Sequence, residues 1–203
     1  MKNKIFSKED LEKIIDNLKN NKVGIFPTDT VYGLGGRADS LPVIKKVYQI
    51  KKRANHKPLL ILVSSLAMVR RYVKLNKQQE LLLKKYWPVQ ASSKAGKPVT
   101  VVLESKSILP KELTSGTNKI GIRLPDNKFL LNIIKKLQVP LIATSANKSG
   151  QNSVLDFKDI KIKADFIVDG GKLPSNKEST VIDLTEDKIK ILRQGCLSLR
   201  GTK

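Results

Sequence analysis

Three pairs of polar residues, Thr28 and Thr30, Lys51 and Arg53, and Ser145 and Asn147, are each spaced two apart. In extended backbone, residues two apart project to one side, so each pair is placed to face a common ligand. Lys51 and Arg53 offer two cations, and the hydroxyls and amide offer groups suited to phosphate, ribose or an amino-acid carboxylate. Taken alone, Lys51-Lys52-Arg53 also reads as a solvated last helical turn that complements the helix dipole. The clusters PTDTVYGLGG, TSANKSG and Arg123-Leu124-Pro125 each follow a short apolar run. In open α/β sheets the crevice beyond the strand ends is where ligands bind, although Gly, Ser and Asn also make plain turns.

The elements that must hold these residues alternate between helical and extended patterns. Ser7 is read as the cap of a helix burying Leu11, Ile14, Ile15 and Leu18, followed by a strand from Val23 to Phe26. Ser40 caps a second helix with Ile44, Val47 and Tyr48 inward, leading to the run Leu59 to Val63. Helices are predicted over 65–73, 76–86 and 126–137, and strands over 99–103, 119–123, 140–143, 165–168, 179–184 and 188–193. The late succession of strands without helices cannot consist of parallel crossovers alone, which predicts one α/β domain over 1–203 with a twisted, mixed, open sheet.

Composition narrows the chemistry. One histidine, His56, and one cysteine, Cys196, cannot furnish a Cys/His zinc cage, a CxxC pair or an intramolecular disulfide. No metal ligand set is assigned. The lack of a signal-peptide core and of an apolar run near the roughly 18 to 20 residues of a membrane span predicts a cytoplasmic protein. Of 39 basic residues against 18 acidic, only seven are arginine, and the net charge is +21. Such a surface suits polyanions without implying base readout, and it is equally a plain lysine-rich solvated face. The stretch ASSKAGKP departs from a phosphate loop at Ala91 and Pro98 and leads into a strand, and His56 has no GxSxG elbow to serve.

PTDTVYGL, the KxR of KKRANHKPL, RLP, SANKSG, STVIDL and ILRQG resemble, in order, the motifs of the YrdC/Sua5 family of threonylcarbamoyl-AMP synthases, over roughly residues 7 to 196. The resemblance implies a YrdC-like fold with a basic central cavity. It implies formation of L-threonylcarbamoyladenylate and pyrophosphate from L-threonine, bicarbonate and ATP, with Mg2+, for t6A37 modification of tRNA. By motif, Thr28, Thr30, Tyr32, Arg123, Ser179 and Thr180 are implied to bind threonine. Lys51, Arg53, Thr100, Ser145, Asn147 and Arg193 are implied to bind ATP, with Lys51 and Arg53 catalytic at the phosphates. The implied partners are downstream threonylcarbamoyl-transferase proteins and, through salt-sensitive contacts, tRNA. Because the chain stops shortly after ILRQG, it resembles the single-domain form.

One departure stands out. The family's WPGPxT is interrupted after Trp87-Pro88, so that about seven residues stand inserted within 89–97, which reads as a lengthened surface loop or a lid over the cavity. The competing reading of the whole chain is a non-catalytic RNA-binding module using the basic cavity for tRNA or rRNA. Its 5 Phe, 4 Tyr and 1 Trp form no RNP-type sheet motif.

Overall fold

The computed structural model describes residues 4–87, 98–174, 178–186 and 188–197. The 89–97 segment, with the phosphate-loop look-alike it carries, lies outside the described residues. Eleven strands and five α-helices alternate among those residues, together with two short 3-10 turns.

The expected mixed open sheet is present, divided in two. In the first sheet, β1 (Lys4–Phe6) and β2 (Gly24–Phe26) flank β9 (Phe166–Val168) in parallel. There β2 continues antiparallel into β3 (Gly33–Gly35), and β3 into β8 (Thr144–Ser145). The second sheet runs β11 (Lys190–Arg193), β10 (Thr180–Asp183), β5 (Val99–Glu104), β6 (Lys119–Arg123), β4 (Leu60–Leu62), β7 (Leu141–Ile142). Its β10–β5 and β6–β4 pairs are parallel, and the others antiparallel. The sheets meet where the chain leaves β7 and enters β8 across Ala143. Ile142 N donates to Gly36 O at 2.7 Å, and Ala38 N donates to Pro140 O at 3.0 Å. With both sheets tied at one seam, polar loops from each converge on the same space.

Helix α1 (Leu11–Lys19) buries Ile14, Ile15 and Leu18, as the apolar spacing requires, and packs on α5 (Lys128–Leu137), which buries Leu130, Ile133 and Ile134. The expected Ser7 cap is corrected. Ile5 and Phe6 are drawn into β1, so the N-cap position falls to Asp10, whose carboxylate accepts from Ser7 N and Oγ. Helix α2 (Leu41–Lys51) is capped by Ser40, which accepts from Val43 N, and buries Ile44, Val47 and Tyr48. Helices α3 (Leu66–Tyr72) and α4 (Lys77–Tyr86) follow, the latter opened by a reciprocal Asn76–Gln79 capping box. Phe166 joins the layers in the core, edge-on to Phe6 and Phe26 at ring separations of 5.6 and 5.5 Å. No helix among the described residues is long and apolar enough to cross a membrane.

Candidate active site

A cavity of about 470 Å³ lies over one face of the second sheet, at its seam with the first. Strand pairing sets its floor: Thr100 on β5 stands opposite Val181, and Val102 stands opposite both Gly121 and Asp183. Leu60 pairs with Gly121 and Leu62 with Arg123. The middle of the floor is thus apolar (Leu60, Val102, Val181), with polar groups around it.

One polar arc runs through the PTDT segment. Thr28 Oγ1 donates to Val31 O at 2.7 Å, which commits its only proton. The 3.0 Å contact between the two threonine hydroxyls therefore has Thr30 donating to Thr28. Arg123 Nη1 in turn donates to Thr30 Oγ1 at 3.2 Å. Arg123 Nη2 lies against Asp29 Oδ1 as a buried ion pair, while Asp29 Oδ2 accepts from Asp126 N at 3.2 Å. The Arg–Asp contact is one of charge rather than alignment, because Arg123 Nε and Nη2 and Asp29 Oδ1 are buried without a hydrogen-bond partner.

A second arc carries Arg53 and Ser145. Arg53 spends Nε on Lys57 O at 3.0 Å and Nη2 on Pro58 O at 2.9 Å, so its guanidinium is fixed by its own loop while still lining the cavity. Burial holds its pKa below the ordinary arginine value. On the β10 side, the Thr100 and Ser179 hydroxyls meet at 2.7 Å, and Arg193 Nη2 donates to Ser179 O at 2.9 Å while pairing with Glu178.

Eight of the predicted residues line the cavity together: Thr28, Thr30, Arg53, Thr100, Arg123, Ser145, Ser179 and Arg193. Four stand behind its wall. Lys51 Nζ donates to Ser145 O, Asn147 O and Asn147 Oδ1 at 2.6, 2.9 and 3.2 Å, beneath the segment it supports. Desolvation, aided by the positive charge of Arg53 and opposed by Glu178, lowers the Lys51 pKa to about 8. Asn147 donates its side-chain amide to Gln151 O. Tyr32 is fully buried; its hydroxyl donates to Gly171 O at 2.8 Å and accepts from Gly170 N at 2.9 Å. Thr180 Oγ1 donates to Leu197 O at 2.8 Å and accepts from Gly195 N and Leu197 N.

The sequence reading missed Asp29, Lys119, Glu178 and Asp183. Lys119 and Asp183 were within reach: counting back by two from Arg123 and forward by two from Ser179 puts both on the cavity face, where they pair at 3.2 Å. Asp29 was hidden by the same rule, which sends it to the opposite side from Thr28 and Thr30.

The model of the Sua5/YciO/YrdC family, described as "Telomere recombination", matches residues 16–195. The chain belongs to this family. It is 34% identical over 187 residues to the threonylcarbamoyl-AMP synthase of Pyrococcus abyssi, covering 90% of this chain and 53% of the relative. It is 33% identical over 214 residues to a putative threonylcarbamoyl-AMP synthase of Methanocaldococcus jannaschii, covering 98% and 97%. The chain thus spans about half of the first relative and nearly all of the second. Among solved structures, P. abyssi Sua5 complexed with L-threonine superposes with a TM-score of 0.82 at 30% identity, over 95% of this chain and 56% of that one. Escherichia coli YciO superposes with a TM-score of 0.85 at 22% identity, over 98% of both chains, a likeness of fold.

Proposed function

We propose that this Sua5/YciO/YrdC-family chain is an L-threonylcarbamoyladenylate synthase acting in t6A37 formation. The observation that carries the reading is the single cavity in which Arg123, Thr30 and Thr28 form one arc and Arg53, Ser145, Thr100 and Ser179 the rest, over an apolar floor. The relatives' names and the likeness to a threonine-bound structure support it.

The amine of threonine condenses with bicarbonate to a carbamate, releasing water, and a carbamate oxygen attacks the α-phosphorus of ATP as pyrophosphate leaves. Such a step needs alignment and charge neutralisation more than a nucleophilic side chain. Arg123 receives the threonine carboxylate, the apolar floor takes the adenine, and Arg53 and Ser145 take the phosphates. Lys51 serves the phosphates from behind, through Ser145 and Asn147. Mg2+ enters on the triphosphate as part of the nucleotide substrate, with phosphate oxygens and water as its main ligands. The product is a labile mixed anhydride, which calls for a threonylcarbamoyl-transferase partner. An open groove bordered by Lys45, Lys52 and Lys111, and sharing Arg53 with the cavity, offers tRNA phosphates a weak, salt-sensitive seat.

The test is to omit threonine, bicarbonate, ATP and Mg2+ in turn, following pyrophosphate release and the adenylate by mass spectrometry. The adenylate is expected only in the complete mixture. Pyrophosphate release that ignores threonine would refute the reading.

A further inference from the structure

Four cations line the cavity among the described residues: Arg53, Lys119, Arg123 and Arg193. Three have a carboxylate in ion-pair contact: Lys119 with Asp183, Arg193 with Glu178, and Arg123 with Asp29. Arg53 alone of the four has none, its bonds going to backbone carbonyls. Among these four, the positive potential available to a distant anion is therefore concentrated at Arg53. A group paired with its counter-ion loses most of its long-range field but keeps its remaining N–H donors.

The Arg123–Asp29 pair is the most enclosed of the three, with side chains 8% and 11% exposed. Solvent screens it least, so its cancellation is the most complete. Arg123 Nε and Nη2 are buried, but Nη1 spends only one of its two N–H groups on Thr30 Oγ1, which leaves short-range hydrogen-bonding capacity on a pair of nearly zero net charge. That combination suits a monoanion delivered at contact distance and suits a polyanion poorly. A triphosphate gains most where positive charge is uncompensated, and a carboxylate is satisfied by two donors.

We infer that Asp29 is a specificity-determining residue, which reserves Arg123 for a carboxylate by withholding its charge from phosphate. The inference rests on the reading above, in which threonine and ATP occupy one cavity. Asp29 acts through Arg123 as a positioning residue, anchored on its other side by Asp126 N. Without it, Arg123 becomes a second uncompensated guanidinium in the cavity, and phosphate competes with threonine for it.

The test measures threonine affinity by calorimetry with and without inorganic tripolyphosphate. For the unmodified protein, tripolyphosphate should shift the threonine Kd by no more than about threefold, because the two anions use different arginines. In Asp29→Asn, which keeps size and an acceptor for Asp126 N, tripolyphosphate should weaken threonine at least about tenfold, a coupling the parent lacks. Asp29→Glu, which restores the charge, should return towards the parent behaviour, whereas a merely structural role would make every variant weaker without coupling the two anions. Absence of competition in Asp29→Asn overturns the inference, as does competition in the parent. Should Asp29→Asn not fold, the parent decides alone: tripolyphosphate that binds without displacing threonine supports the inference, and tripolyphosphate that displaces it refutes it. Failure of the unmodified protein to bind either probe would sink the activity reading itself, and this inference with it.

Discussion

Lys51 Nζ donates to the carbonyl oxygen of Ser145 at 2.6 Å, bridging residues 94 apart in sequence. Ser149 N donates in return to Lys51 O at 3.0 Å, so backbone and side chain of one residue hold the whole SANKS segment against the end of α2. An ammonium with three donors meets three acceptors there. Its neutral form has two donors and would leave one acceptor unsatisfied.

This gives a pH prediction. The folded pKa of Lys51 is about 8, against an ordinary 10.5. Between those values the unfolded chain carries the proton and the native chain does not, so the native state is favoured increasingly as pH rises through that window. The melting-temperature difference between the unmodified protein and Lys51→Met, which does not titrate, should therefore move in favour of the lysine protein from pH 8 to pH 10.5. A flat or falling difference would show that Lys51 stays charged. Over the same range the KM for ATP should rise, since the Ser145–Asn147 segment loses one of its ties.

Arg53→Lys should lower turnover as well as ATP affinity. The arginine uses two N–H groups to fix its own loop and keeps others for the cavity, and a lysine ammonium cannot hold both carbonyls at 3.0 and 2.9 Å and also reach phosphate in a planar fork. A loss of at least tenfold in kcat, about 1.4 kcal/mol of barrier, is expected. Unchanged turnover by a folded variant would reduce Arg53 to a loop anchor.

The buried hydroxyl pair of Thr100 and Ser179 ties β5 to the residue that leads into β10. Thr100→Val keeps the shape and removes one partner, which should cost about 1 kcal/mol, or roughly 2–4 °C in a chain of this size. The KM for ATP should rise while the KM for threonine holds. Thr100→Ser should restore both, and equal effects on both substrates would deny Thr100 a place on the nucleotide side.

The strongly periodic parts of this fold were legible in the sequence. The 3.6-residue spacing placed Ile14, Ile15 and Leu18 on the buried face of α1, and β6 falls on the expected 119–123. Strand β1 was not legible, because three residues with two exposed carry no pattern, and β3 was not because Gly33-Leu34-Gly35 has no strand-like composition. Thr28 and Thr30 do share the wall, but on a bend in which Thr30 N donates to Thr28 Oγ1 at 3.1 Å, so the extended backbone assumed by the two-apart rule is absent there as it is at the other pairs. Lys51 ends a helix and Lys52 turns left-handed at φ 49°, so Lys51 points inward while Arg53 reaches the cavity. At the second pair, Asn147 N folds back on Ser145 O at 2.9 Å, so these residues are not extended. The counter-ions Asp29 and Glu178 depend on tertiary approach, which no local spacing encodes.

Two glycines separate folding from ligand space. A Cβ on Gly35 would fall 1.6 Å from Ile142 O, a backbone atom in the seam between the sheets, where neither partner can yield without breaking strand contacts. Gly35→Ala should therefore prevent folding or lower the melting temperature severely, as judged by circular dichroism and thermal scans. At Gly121 a Cβ would meet Leu60 Cβ at 3.4 Å and Thr100 Cγ2 at 3.6 Å, both ordinary contacts, so Gly121→Ala should fold with a melting temperature close to that of the parent. The added methyl nonetheless stands on the cavity floor between Leu60 and Val102, where the proposed adenine lies. Occupying that space should raise the KM for ATP several-fold and leave the KM for threonine nearly unchanged. If the threonine constant rises instead, the adenine is seated elsewhere and Gly121 borders the amino-acid end of the cavity.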